Sequence, residues 1–172
     1  MKRREFIAFV SAAAVWPVAP HAQQVGKVHR IGLVFATSPV SDMVGSDPIH
    51  PLARAFLHGL RDLGYVEGRN LVLERRSAEG RFERSPEIIR ELVASNVDVI
   101  VSSNNVITKA AKSVTQTIPI VMPTAGDPVG TGLVTSLARP GGNITGFTLA
   151  VGNDVAGKRL QLIKELLPRR PV

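Results

Sequence analysis

The stretch Val97–Asp127, VDVIVSSNNVITKAAKSVTQTIPIVMPTAGD, decides the fold class. VDVIVSS is a short apolar run of the kind that forms a strand buried on both faces. NVITKAAKSVTQ then reads as a helix, and PIVMP as a second buried strand. Strand, helix and strand joined by short connections make one right-handed βαβ unit with parallel strands.

The same alternation continues in both directions. Upstream, VHRIGLVF (28–35) is a nearly continuous apolar run and reads as the first strand. LARAFLHGLRDLG follows, with Leu52, Phe56, Leu60 and Leu63 at helical spacing. Leu71 to Glu74 is a second strand candidate. FERSPEIIRELVASN holds a second helix, with Pro86 acceptable in its first turn and Ile89, Leu92 and Val93 on one face. Downstream, Asp127 can cap a fourth helix that has Pro128 at its first position and runs through Val129, Leu133, Val134 and Leu137. Gly141-Gly142 stops it, and ITGFT reads as a fifth strand. The expected fold is α/β, a doubly wound parallel sheet with helices on both faces.

In such sheets ligands bind in the crevice beyond the carboxyl ends of the strands. That rule selects three loops: Ala36-Thr37-Ser38, Ser102-Ser103-Asn104-Asn105 and Thr124-Ala125-Gly126-Asp127. All are rich in hydroxyl, amide or carboxylate groups, as a polar small-molecule site requires. Taken singly, each of these residues reads as a helix cap. Taken together, the loops read as a ligand site.

Thr124–Thr148 carries six of the 15 glycines and raises the question of phosphate binding. The first strand, however, leads into ATSPVSDM, with neither Gly-x-Gly-x-x-Gly nor Gly-x-x-x-x-Gly-Lys-Ser/Thr. Gly126, Gly130 and Gly132 have the wrong spacing for a phosphate cradle and read as structural. No Gly-x-Ser-x-Gly elbow, Ser-x-x-Lys or His-Glu-x-x-His occurs. His29, His50 and His58 lie in unrelated contexts, and Glu87 and Glu91 beside Arg84 and Arg90 read as a solvated helix face. Nothing points to catalysis or to a cofactor.

Cysteine is absent, which removes disulfides, thiolate metal sites, a catalytic thiol and a lipid-modified cysteine. The first 22 residues, MKRREFIAFVSAAAVWPVAPHA, pass from a basic start through an apolar run to a small-residue end, the layout of a cleaved secretory signal peptide. Arg3-Arg4-Glu5-Phe6-Ile7 resembles a twin-arginine signal but lacks its usual flanks, so an ordinary basic leader stays equally open. The apolar run is about half of the ~20 residues that cross a bilayer. Without residues 1–22 the charge balance is 18 basic against 13 acidic residues, spread along the chain. Neither a clustered basic face nor aromatic density favours nucleic acid. A bacterial periplasmic protein fits best.

Three segments carry a family resemblance: GYVEGRNLVLERRSAEG (64–80), VDVIVSSNN, and above all AGDPVGTGLVTSLARPGGNITGFT (125–148). With these the chain resembles the substrate-binding proteins of bacterial ABC importers, in the branch with the type I periplasmic-binding fold, Rossmann-like in each lobe. The resemblance runs from the leader through Pro168. It implies two doubly wound lobes joined by hinge strands and closing on a small polar ligand, with an ABC permease in the inner membrane as partner and no chemistry of its own. Residues 23–148 would be the first lobe, and 149–172 the hinge segment and first helix of a second lobe that the 172 residues do not complete. Either the gene is shortened or the sequence is a fragment. A single lobe is then expected to be a poor receptor.

Carried over by position, Thr37, Ser38, Ser103, Asn104, Thr124 and Asp127 would line the first-lobe wall. Asp127 either caps its helix or pairs with a ligand amine. The N–H groups opening the helix at Asn104 suit a carboxylate, so the resemblance implies an amino-acid-like ligand. A periplasmic sensor module of the same fold, handing its ligand to a signalling partner, is the alternative reading.

Overall fold

The computed structural model describes residues 27–150 and 154–167. The expected leader, residues 1–22, lies outside the described residues. Among those described are five strands: β1 (His29–Phe35), β2 (Leu71–Ser77), β3 (Val99–Ser102), β4 (Ile120–Gly126) and β5 (Ile144–Ala150). They form one parallel sheet in the order β2-β1-β3-β4-β5. Four α-helices accompany them: α1 (Pro51–Asp62), α2 (Ser85–Ala94), α3 (Asn105–Val114) and α4 (Asp154–Leu166).

The order reverses direction at β1. The chain steps from β1 outward to β2 through α1, then returns past β1 to β3 through α2 and onward to β4 through α3. Right-handed crossovers in opposite directions place their helices on opposite faces. Two core clusters record this. On one face Ile88, Ile89 and Leu92 of α2 and Ile107 and Ala111 of α3 pack with Val34, Ile100, Ile120 and Met122 of the sheet. On the other, Ala53 and Leu57 of α1 and the buried Met43 pack with Ile31, Leu33, Phe35, Leu73 and Val101. The expected α/β doubly wound architecture is the one observed.

The ends of α1 are written in its sequence. Pro51 opens it without sacrificing a bonded N–H. The Ala53 N–H donates to His50 Nδ1 at 3.4 Å. At the other end Tyr65 N–H donates to Leu60 O (2.9 Å) and Gly64 N–H to Arg61 O (2.8 Å), with Gly64 at φ +84°, so two terminal carbonyls are satisfied by a left-handed glycine. The expected apolar stripe differs in one respect. Ala53 and Leu57 are its buried centre, whereas Leu52 and Leu63 are exposed.

The expected fourth helix, Asp127 to Leu137, does not form; a chain of turns stands in its place. Leu133 and Val134 N–H both return to Pro128 O, and Gly132 enters the left-handed region at φ +70°, which ends the first turn before a second can start. Lys112 Nζ then takes the freed carbonyls of Gly132 (2.7 Å) and Leu133 (3.1 Å). Leu133 and Val134 stay buried in the α2–α3 core, so the apolar spacing was real and the helix was not.

At the amino ends of the strands, Asp98 joins β1 to β3. Its carboxylate is held below the ordinary aspartate range by the Lys27 ammonium at 2.7 Å and by the Arg30 N–H at 2.8 Å, against a smaller opposing effect of burial. A lowered folded-state pKa means this contribution is complete at neutral pH and is lost as pH falls below about 3.9 and through the lowered value. Asp98→Asn is therefore expected to reduce stability at pH 7 and to flatten its acid limb. Urea midpoints at pH 7 and pH 3 would show it, and equal losses at both pH values would contradict it.

Candidate functional site

The switch from β1 to β3 brings the loops after these strands together at their carboxyl ends. Ser103 N–H donates to Val34 O and Ser103 Oγ accepts the Ala36 N–H, both at 3.0 Å, so one residue stitches the two loops at the crevice. Thr124 extends the seam to the third loop by donating its hydroxyl to Ser103 O at 3.0 Å. Asn105 closes it. Its Oδ1 accepts the Gly126 N–H at 3.1 Å, and its Nδ2 donates to Gly126 O. The side-chain amide thus imitates one further peptide of a strand, holding β4 in line where β3 has already ended.

Asn104 is the N-cap of α3, with Oδ1 accepting the Ile107 N–H at 2.9 Å. Behind it the buried Ser102 and Thr108 hydroxyls lie 2.6 Å apart, and Thr108 donates to Asn104 O at 2.8 Å. The first turn of a helix leaves its leading N–H groups without intrahelical partners. Here the Ile107 and Thr108 N–H groups go to Asn104, and among the described residues those of Asn105 and Val106 have no partner.

Beside this polar seam lies a recess of about 220 Å³. Leu33, Phe35 and Val101 of the sheet and Leu52 and Phe56 of α1 line it, with Pro123, Ser103 and Thr124 at its β3–β4 side. Its existence follows from the winding. Because the α2, α3 and β4–β5 crossovers all pack on the opposite face, α1 covers this face where the sheet turns from β1 to β3. Leu52, 56% exposed, is an apolar residue of the recess wall and not of the core. Phe35 is propped by the His50 ring, edge-to-face at 4.5 Å.

Of the six expected site residues, Ser103 and Thr124 meet at the recess, and Asn104, next in sequence to Ser103, is spent on capping α3. Thr37 is exposed and Ser38 half-buried on the loop after β1, and among the described residues neither side chain has a hydrogen-bond partner. Asp127 turns onto its own loop: its Oδ1 accepts the Gly130 N–H at 2.9 Å and its carbonyl the Thr131 hydroxyl at 2.8 Å. Of its two expected roles the geometry displays the cap, on a turn instead of a helix. Sequence reasoning placed Asn105 in a site loop without giving it a role, and passed over the apolar wall. Asn105 follows the cap Asn104, and its register with Gly126 appears only once β3 and β4 are paired. Among the described residues no group of three or more His, Asp or Glu could hold a metal ion.

A polar seam at the switch point of a doubly wound sheet beside an open recess is where folds of this class bind ligands. Residues 39–170 match the family model described as ABC transporter substrate binding protein, and the chain belongs to that family. A tyrosine-binding protein of Clostridioides difficile strain R20291 is 32% identical over 130 residues, covering 76% of this chain and 37% of that protein. A conserved domain protein of Vibrio cholerae has the same fold, with a TM-score of 0.67 and 31% identity over 83% of this chain and 45% of that one. The ABC domain from Streptococcus pneumoniae, solved with L-Trp, gives a TM-score of 0.59 and 26% identity over 70% of this chain and 38% of that one. The chain therefore spans less than half the length of these relatives. Members of this family are binding proteins and not enzymes, and they work outside the cytoplasm, in the periplasm or extracellularly. Among the described residues no helix is long and apolar enough to cross a membrane.

Proposed function

We propose that this chain forms the first lobe, residues 23–148, of a periplasmic receptor that captures an amino acid with an apolar, ring-bearing side chain and delivers it to an ABC permease. The observation that carries this reading is the pairing of an apolar recess with a polar seam at one crevice. A cavity of ~150 Å³ lined by aliphatic and aromatic side chains accepts benzene, so about 220 Å³ admits a ring. The open N–H groups of Asn105 and Val106 face an anion favourably at the positive end of α3. An α-carboxylate there and a side chain between α1 and the sheet use both halves of the site. Ser103, Thr124 and Asn104 shape the polar half, and Thr37 and Ser38 complete its rim from the β1 loop. Asp127 fixes the loop that carries Thr124. The likeness to a tyrosine-binding protein and to a domain solved with L-Trp supports the ligand class.

Burial of most of a ligand's surface comes from closure of a second wall. A first lobe alone is accordingly expected to bind weakly, and the same lobe closed by a second wall tightly. Calorimetric titration of the whole gene product with L-Phe, L-Trp, L-Leu, glycine and glucose tests the reading. Ring-bearing and large apolar amino acids are expected to bind, and Leu52→Asp to weaken them at least tenfold. Because Leu52 is already solvent-exposed, its replacement should shift Tm little. Binding of glucose with no amino-acid response would overturn the assignment.

A further inference from the structure

The recess is apolar to its depth. Leu33 and Val101, register partners on β1 and β3, face Leu52 and Phe56 of α1 across it, and these side chains have no hydrogen-bonding atom. Its polar groups, Ser103 and Thr124, lie at its β3–β4 side and belong to the seam. Thr124 spends its proton on Ser103 O, and Ser103 Oγ receives the Ala36 N–H. An amino acid anchored by its carboxylate at Asn105 and Val106 therefore points the far end of its side chain away from these groups, towards Leu33 and Phe56.

We infer, resting on the amino-acid reading above, that this site selects against a hydroxylated ring: L-Phe is bound in preference to L-Tyr. The two ligands differ by one hydroxyl, and that hydroxyl leaves water for the side chains of Leu33, Val101, Leu52 and Phe56, which offer it neither donor nor acceptor. A hydrophobic pocket rejects an isostere carrying an added hydroxyl by about 10²-fold at most. The expected preference for L-Phe is therefore roughly 10- to 100-fold. The relative named as a tyrosine-binding protein takes a hydroxylated ring, the group this recess is expected to disfavour.

The test is competitive calorimetry of L-Phe and L-Tyr on the whole gene product and on its Val101→Thr variant, which places a hydroxyl in the recess at almost unchanged size. The wild-type protein should favour L-Phe at least tenfold, and the variant should narrow that ratio while still binding L-Phe, which reports that it is folded. Equal or tighter binding of L-Tyr by the wild type overturns the inference and leaves the amino-acid reading standing. A ratio unchanged in Val101→Thr places the selectivity outside this recess and overturns the assignment. Failure of both ligands to bind removes the amino-acid reading, and the inference with it.

Discussion

Replacing Gly146 by alanine is expected to lower Tm by roughly 10 °C. Gly146 sits at φ +147°, a backbone region that L side chains rarely adopt, and a Cβ there would fall 2.1 Å from the carbonyl oxygen of Met122. That obstacle is backbone in the neighbouring strand, so no rotamer change relieves it. A disfavoured dihedral costs about 1–3 kcal/mol. Forced overlap in a packed region adds about 1–3 kcal/mol, and each kcal/mol moves Tm by about 2–4 °C in a chain of this size. The consequence is local as well as global. Met122 and Gly146 are the last register pair before the β4–β5 ladder shifts towards Ala125 and Thr148, so the displaced strand is the one that carries Thr124 to the crevice. Thermal melts followed by circular dichroism would measure the effect. Gly142→Ala is the control, because a Cβ at Gly142 meets nothing within 4 Å; equal melting of the two variants would contradict the argument.

Leu92→Ala is expected to cost about 2–5 kcal/mol, the range for removing a buried leucine side chain. Leu92 is completely buried in the α2–α3 core, and its Cδ1 lies 2.9 Å from where a Cβ on Gly32 would stand. Helix α2 thus approaches β1 closely because Gly32 has no side chain. The pair supplies its own check. Gly32→Ala alone should destabilise by pushing Leu92, whereas Gly32→Ala combined with Leu92→Ala should lose less than the two single losses together, since the new methyl enters the vacated space. Strict additivity in urea denaturation would show that the two residues do not share this volume.

The order of elements was legible because strands buried on both faces must be nearly continuous apolar runs, and VHRIGLVF, VDVIVSS and PIVMP are such runs. Spacing was less informative about what an apolar residue faces. In α1 the sequence pattern of Leu52, Phe56, Leu60 and Leu63 is helical, yet the small Ala53 sits at the centre of the contact and Leu52 at the rim of the recess. The same limit produced the expected helix after Asp127. Val129, Leu133, Val134 and Leu137 repeat at helical distance, but Gly130 and Gly132 permit a turn that Lys112 of α3 completes from far away in sequence. The glycine-rich stretch itself answers to backbone and not to phosphate. Gly132 ends a turn and Gly146 admits the Met122 carbonyl.

For the candidate site, the rule that ligands gather at the carboxyl ends of parallel strands picked out Ser103 and Thr124, which line the recess. It could not reveal that their hydroxyls are largely spent on holding the loops together. Nor could it reveal the apolar wall, whose members come from β1, β3 and α1 and share no local pattern. The bridging role of Asn105 escaped because its partner, Gly126, is 21 residues away.

An amino-acid side chain that enters the recess between α1 and the sheet would lie against the methyl groups of Leu33, Leu52 and Val101. Methyl-detected NMR on the leucine- and valine-labelled gene product, titrated with L-Phe, examines that contact atom by atom. The account predicts ring-current shifts at Leu33, Leu52 and Val101, with the core methyls of Leu92 and Val34 on the opposite face unmoved. Saturable shifts confined to other methyls, with Leu33, Leu52 and Val101 unchanged, would contradict it.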